Sequence, residues 1–226
     1  MAQNVGRIIN AFPPDEPNAV PPMTAVLHAY AETLTEWAHA AALQMVTDVN
    51  RRDRDAFFKR ARDMSAALQQ ELRNADTGRV MQQLLAEQVD LIKSIPLEAA
   101  KRVHVLTSEA LLDSTRAAEI AKEIMRSGEV AESRALLIAR TEVARTAAKL
   151  TEARAQAVGS THFVWETSGD SDVRPGHKAL AGKVFAWNDL PMVNEGTAKR
   201  PNWIRHGPGE IWNCRCYARP ILPSEK

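Results

Sequence analysis

The stretch "GSTHFVWETSGDSDVRPGHKALAGKVF", residues 159–185, begins a part of the chain whose composition differs from everything before it. The 68 residues from Gly159 onward contain seven glycines, six prolines and four of the five tryptophans. The 136 residues from Met23 to Val158 contain only two glycines and one proline. Glycine and proline mark turns, and long stretches without them permit long helices. The contrast predicts a helical region followed by a small, turn-rich module.

Two segments of the module have the residues of β-strands. "THFVWET", from Thr161 to Thr167, is rich in the β-branched and aromatic side chains that favour strands. "IWNCRCYARPIL" predicts a second strand from Ile211 to Ile221, and the segment from Asn188 to Glu210 predicts a loop. We therefore expect an α+β protein, with a mostly α-helical N-terminal region followed by a small turn-rich module that contains a short antiparallel sheet.

In the helical region, apolar residues recur at spacings of three and four, which predicts amphipathic helices. The clearest helices run from about Thr24 to Val49, from about Arg54 to Arg73 and from about Val130 to Ala157, and Ser114 has the side chain of a helix cap. Six basic and three acidic residues between Arg51 and Asp63 predict a solvated helix face.

The first 22 residues contain five prolines and predict an extended arm rather than a packed element. The sequence thus divides into an extended N-terminal arm at residues 1–22, a helical domain at residues 23–157 and a small α+β module at residues 158–226.

Both cysteines of the chain, Cys214 and Cys216, lie two residues apart near the end of the module. Because side chains alternate between the faces of a strand, the two thiols would share one face and Arg215 would point the opposite way. Two thiolates, with a histidine and an aspartate from the preceding turn, offer the four ligands of a tetrahedral zinc site. The predicted ligands are His177, Cys214, Cys216 and, as the fourth, Asp170, for which Asp172 and His206 are alternatives.

Two other states of the cysteines remain open at this point. Free cysteine is commonly buried as a small apolar side chain, so two reduced, packed thiols explain the pair without a metal. A bond between Cys214 and Cys216 would close a very small, strained ring, and thiols side by side on a strand are poorly aimed for it. The N-terminus lacks the apolar run of a secretory signal, and the reducing cytoplasm that this predicts also disfavours a disulfide.

The overall composition limits the classes of partner. Apolar residues make up 45% and charged residues 25% of the 226 residues, as in ordinary globular proteins. A net charge of +1 gives no general attraction for nucleic acids or membranes, and no stretch approaches the ~20 consecutive apolar residues of a membrane span. Residues 159–226 carry nine basic and seven acidic side chains, a balance of +2 that does not predict strong phosphate binding.

Several motifs follow one another between about Ala139 and Ile221. An R-T-E triplet on the last helix precedes a W-x-T strand, a D-x-x-V-R-x-x-H turn, an L-x-G-x-x-F segment and a final C-R-C. In this order the motifs resemble the Mu F-like family of phage minor head, or head morphogenesis, proteins. The matching residues are Arg140, Thr141, Glu142, Trp165, Thr167, Asp170, Val173, Arg174, His177, Leu180, Gly182, Phe185, Cys214, Arg215 and Cys216.

The resemblance implies a structural protein rather than an enzyme, acting in capsid assembly near the portal and in DNA packaging or ejection. The implied partners are the portal protein, the inner capsid shell and the packaged DNA, without a membrane. The implied location is the interior of the virion head, after assembly in the host cytoplasm. Residues 23–157 would be the docking domain. Within the motif, Arg140 and Glu142 are expected to form a buried ion pair or to bond to the backbone of the module.

Two other functions are compatible with the residues. Asp170, Asp172, His177 and Glu142 could form the site of a metal-dependent nuclease or hydrolase. The module could also contact DNA, although its small positive charge disfavours this. The sequence also departs from the family at one point, because Trp212 and Asn213 precede C-R-C where many relatives have proline, often with histidine.

Overall fold

The computed structural model describes residues 1–12, 20–60, 69–70, 73, 77–112, 123–124 and 126–223. The helices are α1 (Ala2–Asn10), α2 (Val20–Thr33), α3 (Thr35–Arg60), α4 (Gly78–Leu112), α5 (Ser127–Ala157) and the short α6 (Pro175–Lys178). The strands are β1 (His162–Glu166), β2 (Val184–Ala186), β3 (Met192–Asn194), β4 (Trp203–Arg205) and β5 (Tyr217–Ile221). The predicted α+β class is confirmed. Within the described ranges, every helix is too short or too polar to cross a membrane.

The helix boundaries differ from the predicted ones. The helix predicted from Thr24 to Val49 is interrupted at Leu34, whose N–H donates to the Ala31 carbonyl at 3.3 Å in a tighter turn. Beyond this point α3 continues without a break through Val49 to Arg60. Residues 61–68 of the predicted second helix, and the predicted cap Ser114, lie outside the described residues.

The chain forms two compact units that are not continuous in sequence. Unit 1 consists of Met1–Ala42 and Ala86–Ala139, and unit 2 of Leu43–Leu85 and Arg140–Lys226. Helices α3, α4 and α5 therefore each contribute residues to both units. The division into a docking domain and a module at residue 158 stays a prediction about function, because these units describe packing.

Unit 1 has an apolar core to which α1, α2, α4 and α5 contribute. The prediction of an extended arm is wrong for residues 2–10, which form α1. Val5 and Ile9 lie one helical turn apart and are buried in the same core as Met23 and Leu27 of α2. A Cβ atom on Gly128 would lie only 2.7 Å from the Cα of Gly6, so glycine permits the close approach of α1 to α5. The apolar face of α1 thus determines that residues 2–10 form a packed helix, even though the proline content of the whole segment predicts an extended arm.

Unit 2 contains an antiparallel sheet in the order β2-β1-β5 and a separate ribbon of β3 and β4. The central strand β1 pairs Phe163 with Phe185 of β2 and with Pro220 of β5. Phe163 and Trp165 are fully buried, and the rings of Phe163 and Trp187 lie 4.5 Å apart. The core around them also includes Cys214 and Cys216. Strand β1 falls within the segment that the sequence predicted as the first strand of the module.

Two predictions about the module need correction. The strand predicted from Ile211 begins only at Tyr217, because the Cys214 N–H donates to the Ile211 carbonyl at 3.1 Å and closes a turn. Asn213 in this turn has a φ of 55°, a left-handed conformation that asparagine tolerates better than most residues. The loop predicted from Asn188 to Glu210 contains β3 and β4, whose three residues each are too few to show a periodic pattern.

The C-terminal half of α5 is attached to the module by specific bonds. The Asn213 N–H donates to the Thr141 hydroxyl at 3.2 Å, and Lys149 pairs with Glu210. Glu142 is buried, but it pairs with Arg145 at 3.7 Å, whereas Arg140 is exposed. The expected pair of Arg140 and Glu142 is therefore wrong, since residues two apart on a helix do not face each other. The alternative, a bond from these residues to the backbone of the module, stays a prediction.

A buried polar cluster, here called the Asp53 cluster, joins α3 to α5 within unit 2. Arg154 is 3% exposed and donates to the carboxylate of Asp53 and to the side-chain oxygen of Asn50. The Thr151 hydroxyl also donates to Asp53. The predicted solvated face is correct for Arg51, Arg52 and Arg54. It is wrong for Asp53, because this residue pairs with the buried Arg154 on α5.

Candidate metal centre

His177 is positioned by the short helix α6. Pro175 occupies the start of this helix, where its missing N–H is not needed. A Cβ atom on Gly176 would lie 2.7 Å from the carbonyl oxygen of Asn194, so glycine lets α6 pack closely against β3. His177 is consequently 1% exposed, and its ring lies edge-on to Trp165 with 5.5 Å between the ring centroids.

Cys214 and Cys216 meet His177 from the segment before β5. The turn at Asn213 and the irregular backbone after it direct both thiols inward, and the side chains are 4% and 6% exposed. Arg215 between them points outward and donates to Asp170 at 2.8 Å and to Asp172 at 3.3 Å. The predicted alternation is thus confirmed, although a turn rather than a strand produces it.

The three predicted ligand atoms form one compact group, here called the thiol cluster. The Nδ1 atom of His177 lies 3.4 Å from the Sγ atom of Cys216 and 3.5 Å from that of Cys214. With zinc–nitrogen and zinc–sulfur bonds of about 2.0 and 2.3 Å, the N···S edge of a tetrahedron is about 3.5 Å. Both N···S separations therefore match the edges of a tetrahedral zinc site.

The titratable groups of the thiol cluster have shifted pKa values that differ between the two cysteines. The hydrogen bond from Cys216, and to a smaller extent the bond to His177, outweigh burial and lower the pKa of Cys214 to about 4. Donation of this hydrogen bond and burial both raise the pKa of Cys216. Burial alone would lower the pKa of His177, but its bonds to Cys214 and Glu195 raise it. A thiol must lose its proton to bind a metal, so a divalent cation would displace the proton that Cys216 holds.

The indole N–H of Trp165 is fully buried and has no hydrogen-bond partner in the described part of the chain. The side chain of Trp165 acts to lower the pKa of Cys216, although the bond to Cys214 and burial raise this pKa overall. A metal-bound thiolate accepts hydrogen bonds better than a thiol, so a thiolate at Cys216 would suit this buried donor.

Glu195 and His206 complete the site on the other side of His177. One carboxylate oxygen of Glu195 lies 2.6 Å from Nε2 of His177 and 2.8 Å from Nε2 of His206. The two histidines outweigh the effect of burial and lower the pKa of Glu195. These distances are hydrogen bonds, because two ligands of one zinc ion would lie about 3.3 Å apart. The Glu195–His206 pair therefore supports the thiol cluster and is not a second set of ligands.

The structure does not bring the predicted fourth ligand into this group. Asp170 lies at the surface, where it binds Arg215 and accepts the N–H of Asp172 at 3.0 Å. His206, one of the alternatives, is buried nearby but is held by Glu195 and by the Gly207 carbonyl. Among the described residues, the thiol cluster therefore supplies three ligand atoms.

Glu195 was missed because nothing in its sequence context distinguishes it from a loop residue. Of the other predicted motif residues, Arg174 donates to the Trp212 carbonyl at 2.8 Å and lies 3.6 Å from Glu195. Gly182 has a φ of 77°, which explains its glycine. Trp165, Arg174 and Gly182 thus hold the elements around the cluster in place.

The fold and the site define a protein with long helices and a small α+β module built around a buried group of two cysteines and one histidine. Residues 101–219, just over half of the chain, match the protein family described as "Phage Mu protein F like protein", and the chain belongs to this family. Members of this family are structural phage proteins with a role in head morphogenesis.

An uncharacterized protein of Haemophilus influenzae (strain ATCC 51907 / DSM 11121 / KW20 / Rd) is similar to this chain, with 29% identity over 143 residues. The similarity covers 63% of this chain and 30% of the relative, so the chain matches less than a third of that longer protein. No solved structure matches the chain.

Proposed function

We propose that this protein is a minor structural protein of a tailed-phage head that acts in capsid assembly near the portal. The observation that supports this most is the family match over residues 101–219, which includes the thiol cluster and the Glu195–His206 pair. The protein would lie inside the virion head, close to the packaged DNA, and take part in DNA packaging or ejection.

Deletion of the gene from the phage tests the assembly role. We expect normal synthesis of the major capsid protein but heads that are unfilled, defective or non-infectious, with titres restored by the gene supplied in trans. A deletion strain with normal titres would contradict the proposal. Electron microscopy of the particles would separate a failure of head assembly from a failure of packaging or ejection.

The helical residues 23–157 are the proposed docking region for the portal protein or the inner capsid wall. Unit 1 exposes large apolar side chains on its helices, including Trp37 at 52% and Leu136 at 53%. Such side chains are enriched where protein surfaces bind one another. Trp37→Glu and Leu136→Glu in the full chain should each weaken portal capture at least tenfold.

Trp203→Glu is the matched control, because Trp203 is 59% exposed on β4 of the module. It should leave portal capture unchanged. If Trp203→Glu abolishes capture and the two helix variants do not, docking belongs to the module and the proposal is wrong.

The thiol cluster is the proposed zinc site that stabilises the module. Small units rich in loops often need a metal or disulfide in addition to their apolar core. Two cysteines and one histidine suit zinc, and their buried position suits a structural ion. Elemental analysis of the purified protein should find one zinc per chain, and a thiol titration should separate this state from free thiols and from a disulfide.

A metal-dependent nuclease or hydrolase is the second candidate, and one observation favours it. Three protein ligands leave one position of a tetrahedral ion for water, as in catalytic zinc sites. Zinc-loaded protein that cleaves DNA or a phosphodiester, with loss of cleavage in Cys214→Ser, would support this candidate. We expect no cleavage, because all three ligand residues are buried away from substrate.

A further inference from the structure

Glu195 is a buried carboxylate that contacts two histidines with one oxygen atom. Its side chain is 7% exposed, and Oε1 lies within hydrogen-bonding distance of Nε2 in both His177 and His206. The other oxygen, Oε2, is buried without a hydrogen-bond partner in the described structure, and Arg174 lies 3.6 Å from it. A carboxylate in this position is costly unless its hydrogen bonds fix something that the protein needs.

The hydrogen-bonding partners determine where the protons of the histidines lie. Nδ1 of His206 lies 2.8 Å from the Gly207 carbonyl, which can only accept, and Nε2 faces the carboxylate of Glu195. Both nitrogens of His206 therefore face acceptors, and Nε2 donates to the carboxylate of Glu195. By the same reasoning, Nε2 of His177 donates to Glu195, which leaves Nδ1 of His177 as the nitrogen that faces the thiols.

We propose that Glu195 is the positioning residue of the metal centre, and that it fixes His177 in the tautomer that binds the ion through Nδ1 together with Cys214 and Cys216. This role rests on the zinc site proposed above. A carboxylate that accepts the second N–H of a ligating histidine orients the ring and raises its basicity. His206 acts through Glu195, because it holds the carboxylate in place from the side opposite to His177.

The charges of the arrangement support the assignment. Two thiolates and a divalent cation sum to zero, and the Glu195 carboxylate lies 3.6 Å from the side chain of Arg174 and accepts hydrogen bonds from both histidines. These partners meet the condition for keeping a charge out of water. Replacement of Glu195 by a neutral side chain would remove the carboxylate to which both histidine N–H groups donate.

Zinc affinity of the full chain, measured by competition with a chromogenic chelator, tests the role of Glu195. Glu195→Gln should bind zinc 10- to 100-fold more weakly than the wild type, the range found for such supporting residues. Glu210→Gln is the matched control, because Glu210 is another carboxylate of the module that binds Lys149 and the Gly207 N–H and does not touch His177. This control should bind zinc within about threefold of the wild type.

Nitrogen-15 NMR of the histidine rings gives a readout that a general loss of stability would not change, and it needs no variant. In the zinc-loaded wild type, His177 should be metal-bound at Nδ1 and protonated at Nε2. His177 bound through Nε2 would overturn the proposal even if Glu195→Gln does not fold. Equal zinc affinities of Glu195→Gln and the wild type would overturn the role of Glu195 alone, whereas a wild type that binds no zinc would overturn the zinc site together with it.

Discussion

Unit 2 contains two buried polar groups, the Asp53 cluster and the thiol cluster, which both contain buried titratable side chains but differ in chemistry. In the Asp53 cluster, the donors of Arg154 and Thr151 meet the acceptors of Asp53 and Asn50, so the hydrogen bonds close within the cluster. In the thiol cluster, Nδ1 of His177 lies within 3.5 Å of both sulfur atoms, and all three atoms are potential metal ligands. Burial of charge alone therefore does not indicate a ligand. A ligand is indicated when sulfur and nitrogen atoms that can bind a metal point towards the same position.

Removal of a ligand from the thiol cluster should have the largest effect on the stability of the module. In structural sites, zinc binding supplies on the order of 10 kcal/mol of folding free energy, so Cys214→Ser and His177→Ala should each lose the zinc and greatly lower the stability of the module. The helices should remain largely formed, as measured by far-UV circular dichroism. A chelator added to the wild type should give the same result.

The double variant decides whether the two residues share an ion. If they do, Cys214→Ser with His177→Ala should cost no more than either change alone. Additive losses in a metal-free wild type would show packed thiols instead, with a cost of about 1–3 kcal/mol for the buried serine hydroxyl.

The Asp53 cluster should respond differently to substitution, because its hydrogen bonds are made between its own members and do not require a metal. Asp53→Ala leaves the Arg154 guanidinium buried without its partner and should lower the free energy of unfolding by about 3–5 kcal/mol. Replacement of both residues by apolar ones, as in Asp53→Leu with Arg154→Met, should recover most of this loss. Zinc content should stay at one per chain in both variants, and a loss of zinc would show that the two clusters are coupled.

The metal-free protein should have a pH dependence that reveals the thiolate of Cys214. The pKa of Cys214 is lowered to about 4, so its contribution to stability is present above its unfolded pKa of about 8.5 and lost as the pH falls towards 4. The pKa of His177 is raised, so its contribution is complete below about pH 6.5 and lost as the pH rises through the folded value. The lowered pKa of Glu195 adds to the loss at acid pH.

From these directions, the unfolded chain binds one more proton than the native chain between about pH 4 and 6.5. The free energy of unfolding should rise there by about 1.4 kcal/mol per pH unit. Above about pH 6.5 the raised pKa of His177 means that the native chain keeps a proton that the unfolded chain loses, so the rise should become less steep. Stability should fall once the thiols of the unfolded chain ionise near pH 8.5. Denaturant titrations at each pH check this profile, and a wild-type profile that matches metal-free Cys214→Ser would contradict it.

The smallest effect concerns the turn that directs the thiols. Asn213→Ala removes the polar side chain that lets asparagine tolerate a φ of 55° and should lower the stability by about 1 kcal/mol, whereas Asn213→Gly, which has no Cβ atom, should be near neutral. Thermal unfolding of the zinc-loaded proteins measures both. Equal losses in the two variants would point to the Asn213 side chain rather than to its backbone conformation.

Much of the fold and of the candidate site could be predicted from the sequence, because these features depend on local patterns. The change of composition at Gly159 predicted the α+β class, and the C-x-C spacing with His177 predicted the ligands of the thiol cluster. Glu195 could not be found in this way, and His206 was predicted only as an alternative fourth ligand, since both come from a segment that the packing of α6 against β3 brings to His177. Similarly, Asp53 looked like one charge among many, because its partner Arg154 is 101 residues away.

The ligands of the thiol cluster are far apart in sequence, and this has a topological consequence. An ion held by His177 and Cys214 would close a loop of 37 residues, which in the unfolded chain removes conformational entropy worth about 4 kcal/mol, by analogy with a disulfide. The exposed residues Lys199 and Arg200 lie within that loop. A single proteolytic cut between them would therefore leave two fragments that stay joined through the ion, and a chelator would turn this silent nick into separation of the last 27 residues from the rest of the chain.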